Sequence, residues 1–229
     1  MKFLIQSTVL ALLCSSFALA QNRPDPEVPQ GENLDVPEGW EVRLDRDMDD
    51  LVIGSDPESS DIYFVNMTPG WHITSGPAAI YHHPSNTASG SYDISAVLHL
   101  FDPGERNREA FGIFMGGNDL DNNNQNYLYF LIRNTGEFLI KERIGSETEV
   151  IQNWTSNESI NLYTDDLEDS SAQNTLSVSV TDSDIKFYIN DTEVASVPTD
   201  NYTTDGLYGL RVNHSINLHI SDLTYTSLD

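Results

Sequence analysis

Cysteine is almost missing from this chain: its one thiol, Cys14, falls within the first twenty residues. An intrachain disulfide is therefore excluded, and with it the small disulfide-stapled scaffolds common among exported proteins. Cations are scarce too, 11 Lys and Arg against 36 Asp and Glu, for a formal charge of −25 at pH 7. Such a balance repels phosphate backbones and anionic bilayers, so neither nucleic acid nor an acidic membrane surface is an expected partner. It suits solubility, or divalent cation binding at clustered acids. Long apolar runs are lacking as well, and no segment reaches the roughly 20 residues of a membrane-spanning helix. Nor is there a capped stretch with helical periodicity longer than a turn or two, which leaves β structure.

The N-terminal stretch MKFLIQSTVLALLCSSFALA puts a lysine before an apolar run and ends on Ala18-Leu19-Ala20, the small-x-small pattern of a signal-peptide cleavage site. Cleavage after Ala20 implies a secreted or periplasmic protein. A lipid anchor on Cys14 is the lesser reading, because Leu13 precedes it where such sites take a small residue. Residues 21–39, QNRPDPEVPQGENLDVPEG, carry four prolines and many acids and read as an extended linker. From Trp40 to Asp229 the chain reads as one β-sandwich domain, its short alternating runs separated by Gly, Asn, Asp, Ser and Pro.

The alternation is explicit. Tyr92, Ile94, Ala96, Leu98 and Leu100 share one face of SYDISAVLHLF, and Asp93, Ser95, Val97 and His99 the other. Leu176, Val178 and Val180 alternate with Ser and Thr in NTLSVSV, and Ile185, Phe187 and Ile189 repeat the pattern in IKFYIN. In GLYGLRVN, inward Tyr208, Leu210 and Val212 send Arg211 and Asn213 outward, and INLHIS likewise sends Asn217 and His219 outward. The order of "YDISAVLHLF", "NYLYFLIRNTGEFLIKER", "NTLSVSVTDSDIKFYINDTEVASV" and "GLYGLRVN" resembles the concanavalin A-like lectin/glucanase superfamily, laminin-G-like jelly rolls included. A more distant resemblance is to 3-keto-disaccharide hydrolase-like domains. The resemblance implies an all-β, two-sheet antiparallel jelly-roll sandwich whose concave outer face, or its rim loops, binds glycan.

The scarce cations gather in YFLIRNTGEFLIKER, residues 129–143. Asn134-Thr135-Gly136 suits a three-residue hairpin loop with glycine in the left-handed position. Counting outward pairs Arg133 with Glu137, Leu131 with Leu139, Tyr129 with Lys141 and Tyr127 with Arg143 on one face. Ile132–Phe138, Phe130–Ile140 and Leu128–Glu142 then form the other, which is the core face. Tyrosine beside a cation can stack on a sugar ring and donate hydrogen bonds to hydroxyls; the same residues can equally serve as cross-strand pairs that stabilise the sheet. If neighbouring strands join this sheet, Tyr127, Tyr129, Arg133, Lys141, Arg143, Arg211, His219 and His99 form one basic-aromatic ligand face. The expected function is a non-catalytic module that binds carbohydrate or another polyhydroxylated ligand. The alternatives are a divergent glycoside hydrolase, a polysaccharide lyase with a histidine–tyrosine acid–base pair, or a cell-envelope module that docks protein.

In GGNDLDNNNQN, Asp119, Asp121 and Asn123 stand at the alternating spacing of a calcium loop, although Asn124 replaces the expected glycine and no bidentate Glu follows. Calcium is thus the one cofactor to consider, against a turn held by Asx hydrogen bonds. The Glu-x-Asp-x-x-Glu element of the superfamily's retaining glucanases is absent, its nearest approach being Glu41, Asp45 and Asp47 in EVRLDRD. Six Asn-x-Ser/Thr sequons begin at Asn66, Asn153, Asn157, Asn190, Asn201 and Asn213.

Overall fold

Alternating apolar residues need a partner surface for one face only, and two such sheets satisfy each other by stacking. The computed structural model describes residues 34–167 and 170–228, so the expected signal peptide, residues 1–20, and residues 21–33 of the expected linker lie outside the described residues. In chain order the strands are β1 (Glu41–Leu44), β2 (Ile53–Gly54), β3 (Ile62–Asn66), β4 (Trp71–Ser75), β5 (Ala79–Ala88), β6 (Tyr92–Leu100), β7 (Ala110–Asn118), β8 (Asn126–Arg133), β9 (Glu137–Ile144), β10 (Glu147–Ser156), β11 (Ala172–Val180), β12 (Asp184–Ile189), β13 (Thr192–Pro198), β14 (Gly206–Val212) and β15 (Ile216–Ser227). They form a seven-stranded sheet, β1-β5-β14-β7-β8-β9-β10, and an eight-stranded sheet, β13-β12-β11-β6-β15-β4-β3-β2. The short β2 pairs in parallel with β3, and the other pairings are antiparallel.

The main core lies between the sheets and is built from the alternating residues. Tyr92, Ile94, Ala96, Leu98 and Leu100 enter it from β6, Leu176, Val178 and Val180 from β11, and Ile185, Phe187 and Ile189 from β12. From the other sheet come Tyr208, Leu210 and Val212 of β14 with Leu128, Phe130 and Ile132 of β8. The hairpin β8–β9 has the expected register, Arg133 opposite Glu137 out to Tyr127 opposite Arg143. Its turn closes with the Gly136 N–H donating to the Arg133 carbonyl (3.0 Å), Gly136 standing at φ +79° where a side chain would be strained. Glu142, on the core side of β9, is only 9% exposed, and its carboxylate accepts a hydrogen bond from Asn126 Nδ2 at 3.2 Å.

The sandwich engages the chain ahead of the Trp40 boundary read from composition. The Asp35 carbonyl accepts the Asn66 N–H (2.8 Å) and Pro37 is buried. Backbone hydrogen bonding, which composition does not report, extends the ordered domain into the proline-rich stretch.

Candidate functional site

The middle of the outer face of the seven-stranded sheet is covered rather than open. Tyr127 and Tyr129 are 2% and 8% exposed and pack with Ile80, Ala110, Phe114, Leu120, Leu131 and Leu139 into a second apolar cluster. Leu120 joins it from the β7–β8 loop, and Trp154 of β10 and Leu207 of β14 pack against it. The physical reason is economy of apolar area: a face carrying Phe114, Leu131 and Leu139 beside two tyrosines gains by being roofed.

The register runs charged residues into this cluster in rows. One row across the sheet is Arg43, Ile80, Arg211, Gly112, Leu131, Leu139. The next is Glu41, His82, Gly209, Phe114, Tyr129, Lys141. Because Gly112 offers no side chain next to Arg211, that guanidinium reaches past β7 and lies 5.7 Å from the centroid of Tyr129. Arg211 is 6% exposed and ion-paired through Nη2 with Asp45 Oδ2. Its Nε and Nη1, and Arg43 Nε, are buried without a hydrogen-bond partner. Arg43 donates through Nη1 to the Leu120 carbonyl.

In a flat sheet four strand steps, about 19 Å, would separate β1 from β8. Nevertheless Arg211, Asp45, Arg143 and Arg43 all act on the Tyr127 hydroxyl, whose pKa is raised chiefly by burial and partly drawn back by the three guanidiniums. Tyr129 is pushed up to about 12 by burial, with Arg211 opposing. Arg211 stays firmly charged: burial disfavours the cation, but Tyr127, Asp45 and Tyr129 outweigh it. Arg211 bridges part of that interval, pairing with Asp45 at the β1 edge while its guanidinium lies near the Tyr129 ring. Beside the β1 edge opens a cleft of about 510 Å³ lined by Glu41, Arg43, His82, Leu120 and Asp121 among others. His82 is 4% exposed, with its Nε2 3.8 Å from Glu41 and its Nδ1 unpartnered. Burial lowers its pKa, Glu41 opposes this, and His83 adds to the lowering.

The expected eight-residue face thus divides. Tyr127, Tyr129, Lys141, Arg143 and Arg211 share the outer side of the seven-stranded sheet. Lys141 is half-buried at the rim, and Arg143 donates through Nε to the Gly145 carbonyl (2.7 Å). Arg133 is on the same side but is held by Glu137 (Nε to Oε2, 2.9 Å) and stacked 4.0 Å over Trp154. His99 and His219 do not join this face. They sit on β6 and β15, in the eight-stranded sheet, and point away from its core-facing side. The whole sandwich separates them from Tyr127 and Tyr129, so no histidine–tyrosine acid–base pair forms between those residues. There they continue a cross-strand row with His72: Val65, His72, His219, His99, Gln173.

Arg43, Asp45 and His82 are the members of the site that pattern reading did not select. Glu41, Arg43 and Asp45 alternate with inward Val42 and Leu44, a readable signal for one outward-facing edge. In the β7–β8 loop two of the expected calcium ligands, Asp119 and Asp121, accept hydrogen bonds locally: Asn122 Nδ2 donates to Asp121 Oδ1 (3.2 Å) and Asp119 Oδ1 (3.4 Å). Among the described residues no group of three or more His, Cys, Asp or Glu is arranged to hold a metal ion. No helix among the described residues is long and apolar enough to cross a membrane.

Two stacked sheets in this strand order make a concanavalin A-like jelly roll, the fold of the lectin/glucanase superfamily. Within that class the chain is similar to a carbohydrate-binding module, CBM66, from Bacillus subtilis, with TM-score 0.56 and 13% identity over 82% of this chain and 96% of that one. It is also similar to a Bacillus subtilis protein of unknown function with a galectin-like fold (TM-score 0.54, 10% identity, 82% and 89% covered). A Bacteroides ovatus mixed-linkage glucan GH16 protein in complex with its G4G4G3G product matches at TM-score 0.51 and 10% identity, covering 88% of this chain and 98% of that one. No family profile matches the sequence, and no curated protein matches it.

Proposed function

We propose that the mature, exported chain is a non-catalytic carbohydrate-binding module that takes its ligand on the outer face of the seven-stranded sheet. One observation carries the reading: Tyr127, Tyr129, Lys141, Arg143 and Arg211 share that face, and Arg43 and Leu120, which border it, also line an open cleft of about 510 Å³. Lys141 and Arg143 at the half-buried rim and Arg43 in the cleft offer N–H donors to a polyhydroxylated ligand, and Val42, Leu44, Met48 and Leu51 give the cleft an apolar wall for a sugar's C–H face. The carbohydrate-binding title of the CBM66 neighbour supports the same reading. Two carboxylates of the β1 edge have partners, Glu41 with His82 and Asp45 with Arg211.

The test is a glycan array probed with the mature chain and with Lys141→Ala/Arg143→Ala, a pair at the half-buried rim that can be removed without opening the core. The expected result is binding that the double variant weakens at least tenfold. Running it with calcium and with chelator also tests the Asp119 loop. Absence of binding to every neutral and acidic glycan, with the protein shown to be folded, rejects the proposal.

A further inference from the structure

The cleft at the β1 edge is acidic where solvent reaches it. Glu41, Asp47 and Asp121 line it, against Arg43 and His82, and all three carboxylates are at exposed positions. The Glu41 side chain is 62% exposed, with His82 Nε2 3.8 Å away. The two bases of the lining do not offset the acids. Arg43 is half-buried and holds the Leu120 carbonyl with Nη1, and it cancels one charge of the three. His82 cancels none, because burial lowers its pKa and leaves it neutral at pH 7. Exposed acids are common in a chain of formal charge −25, but these border apolar surface: Met48 is 41% exposed on a wall shared with Val42, Leu44 and Leu51. His82 itself is a polar side chain only 4% exposed, its Nδ1 unpartnered, within the same lining.

Ionised carboxylates only accept hydrogen bonds. A sugar hydroxyl meets them with one donor, whereas an ammonium brings three donors and the opposite charge. The apolar wall suits the C–H face of the ring that carries it. Resting on the carbohydrate-binding reading, we infer that the ligand contains an amino sugar, whose free ammonium sits among Glu41, Asp47 and Asp121 in the cleft at the β1 edge. The cations of the opposite rim do not oppose it. In a flat sheet five strand steps, about 24 Å, separate β1 from β9, which carries Lys141 and Arg143. An oligosaccharide lying along the face therefore meets acceptors at the β1 end and donors at the β9 end. A uronate at the β1 end is repelled by like charge.

Titration calorimetry of the mature chain decides this, run at about pH 6, where amines are charged and carboxylates ionised. The probes are glucosamine and galactosamine oligosaccharides, each measured beside its N-acetylated form. At least one amine form is expected to bind tenfold or more tightly than its N-acetylated partner. Asp47→Asn and Asp121→Asn, both at exposed positions, should each narrow that ratio severalfold. Asp222→Asn, an exposed acid on β15 of the other sheet, should leave it unchanged; narrowing there as large as at Asp47 traces the preference to overall charge and overturns the inference. Oligolysine that binds as tightly as the amino sugars overturns it too, because the sugar ring then contributes nothing. Glycan binding with no preference for any amine form overturns the inference and leaves the carbohydrate-binding reading standing. Binding to none of these sugars and to no glycan of the array overturns both.

Discussion

His99 and His219 face each other across the β6–β15 pair with ring centroids 5.3 Å apart. His72 follows in the same row on β4, edge-on to Tyr63 at 5.8 Å and close to Phe101. Burial holds His72 down at about 4, helped by His219. Burial and His99 hold His219 at about 4, against a backbone hydrogen bond at Trp71. Three imidazoles in adjacent strands are compatible with a packed sheet only while most of them are neutral.

Stability should therefore fall in acid through this row. The unfolded rings take up protons near pH 6.5, whereas folded His72 and His219 resist until about pH 4. Their contribution is complete above pH 6.5 and disappears progressively as pH falls to about 4, on the order of 2 kcal/mol for each ring. Thermal unfolding between pH 7 and 4 should show the decline, and His72→Phe, which keeps a ring but cannot charge, should flatten it. An equally steep curve for the variant would assign the acid sensitivity elsewhere.

Arg133 should prove to be a sheet staple. Its guanidinium lies over Trp154 and is bound by Glu137, whose pKa is lowered by its hydrogen bonds to Thr135 and Arg133. Arg133→Ala removes both partners from a partly exposed site, for a cost of about 1 kcal/mol. Trp154 emission should shift to the red as its covering cation leaves. A variant of unchanged stability and spectrum would show that the stack is not populated in solution.

Much of the fold is legible in the sequence, and the reason is periodicity. Strands with one buried face alternate, so the inward residues of β6, β11, β12 and β14 are readable one by one, and a three-residue turn with Gly136 sets the β8–β9 register by counting. Alternation separates inside from outside but does not say which of two sheets a strand joins. Both bury one face against a common core, so His99 and His219 show the same pattern as Arg211 while lying on the opposite outer surface. The roof over Tyr127 and Tyr129 is equally hidden, because Leu120 and Trp154 arrive from a loop and from another strand. Asp45 and Arg211 are 166 residues apart, and only the adjacency of β1, β5 and β14 brings them together.

Gly209 shows how tightly that outer face is filled. It lies between His82 and Phe114 in the register, and a Cβ there would collide with the Tyr81 carbonyl and come within 2.9 Å of Phe114 Cε1. Carbonyl oxygens in a paired strand cannot move aside, so Gly209→Ala should destabilise by about 2 kcal/mol. Urea unfolding at constant m-value checks this, and a change below about 0.5 kcal/mol would mean that the sheet relaxes there more than the packing implies.

Asn174 provides the last test, because it occupies an inward position of β11, between Ala172 and Leu176, where the alternation calls for an apolar residue. It is 1% exposed and held at both ends of its amide: Nδ2 donates to the Asn161 carbonyl (2.8 Å), while Oδ1 accepts the Asn161 N–H (2.8 Å) and Asn190 Nδ2 (3.0 Å). Asn190 in turn donates to the Ser159 carbonyl (2.6 Å) and accepts the Thr175 N–H (2.8 Å). The two asparagines thereby fasten the 157–161 segment to the sheet. An apolar substitute cannot be neutral at position 174, since the main-chain N–H and C=O of Asn161 would lose their partner. Asn174→Ala and Asn174→Leu should each cost about 2–3 kcal/mol, lowering the melting temperature by roughly 5–10 °C for a domain of this size. Asn174→Asp keeps the acceptor and should fall between them and the native protein at neutral pH. If Asn174→Leu were as stable as the native chain, main-chain satisfaction at Asn161 would not be what selects asparagine in this core stripe.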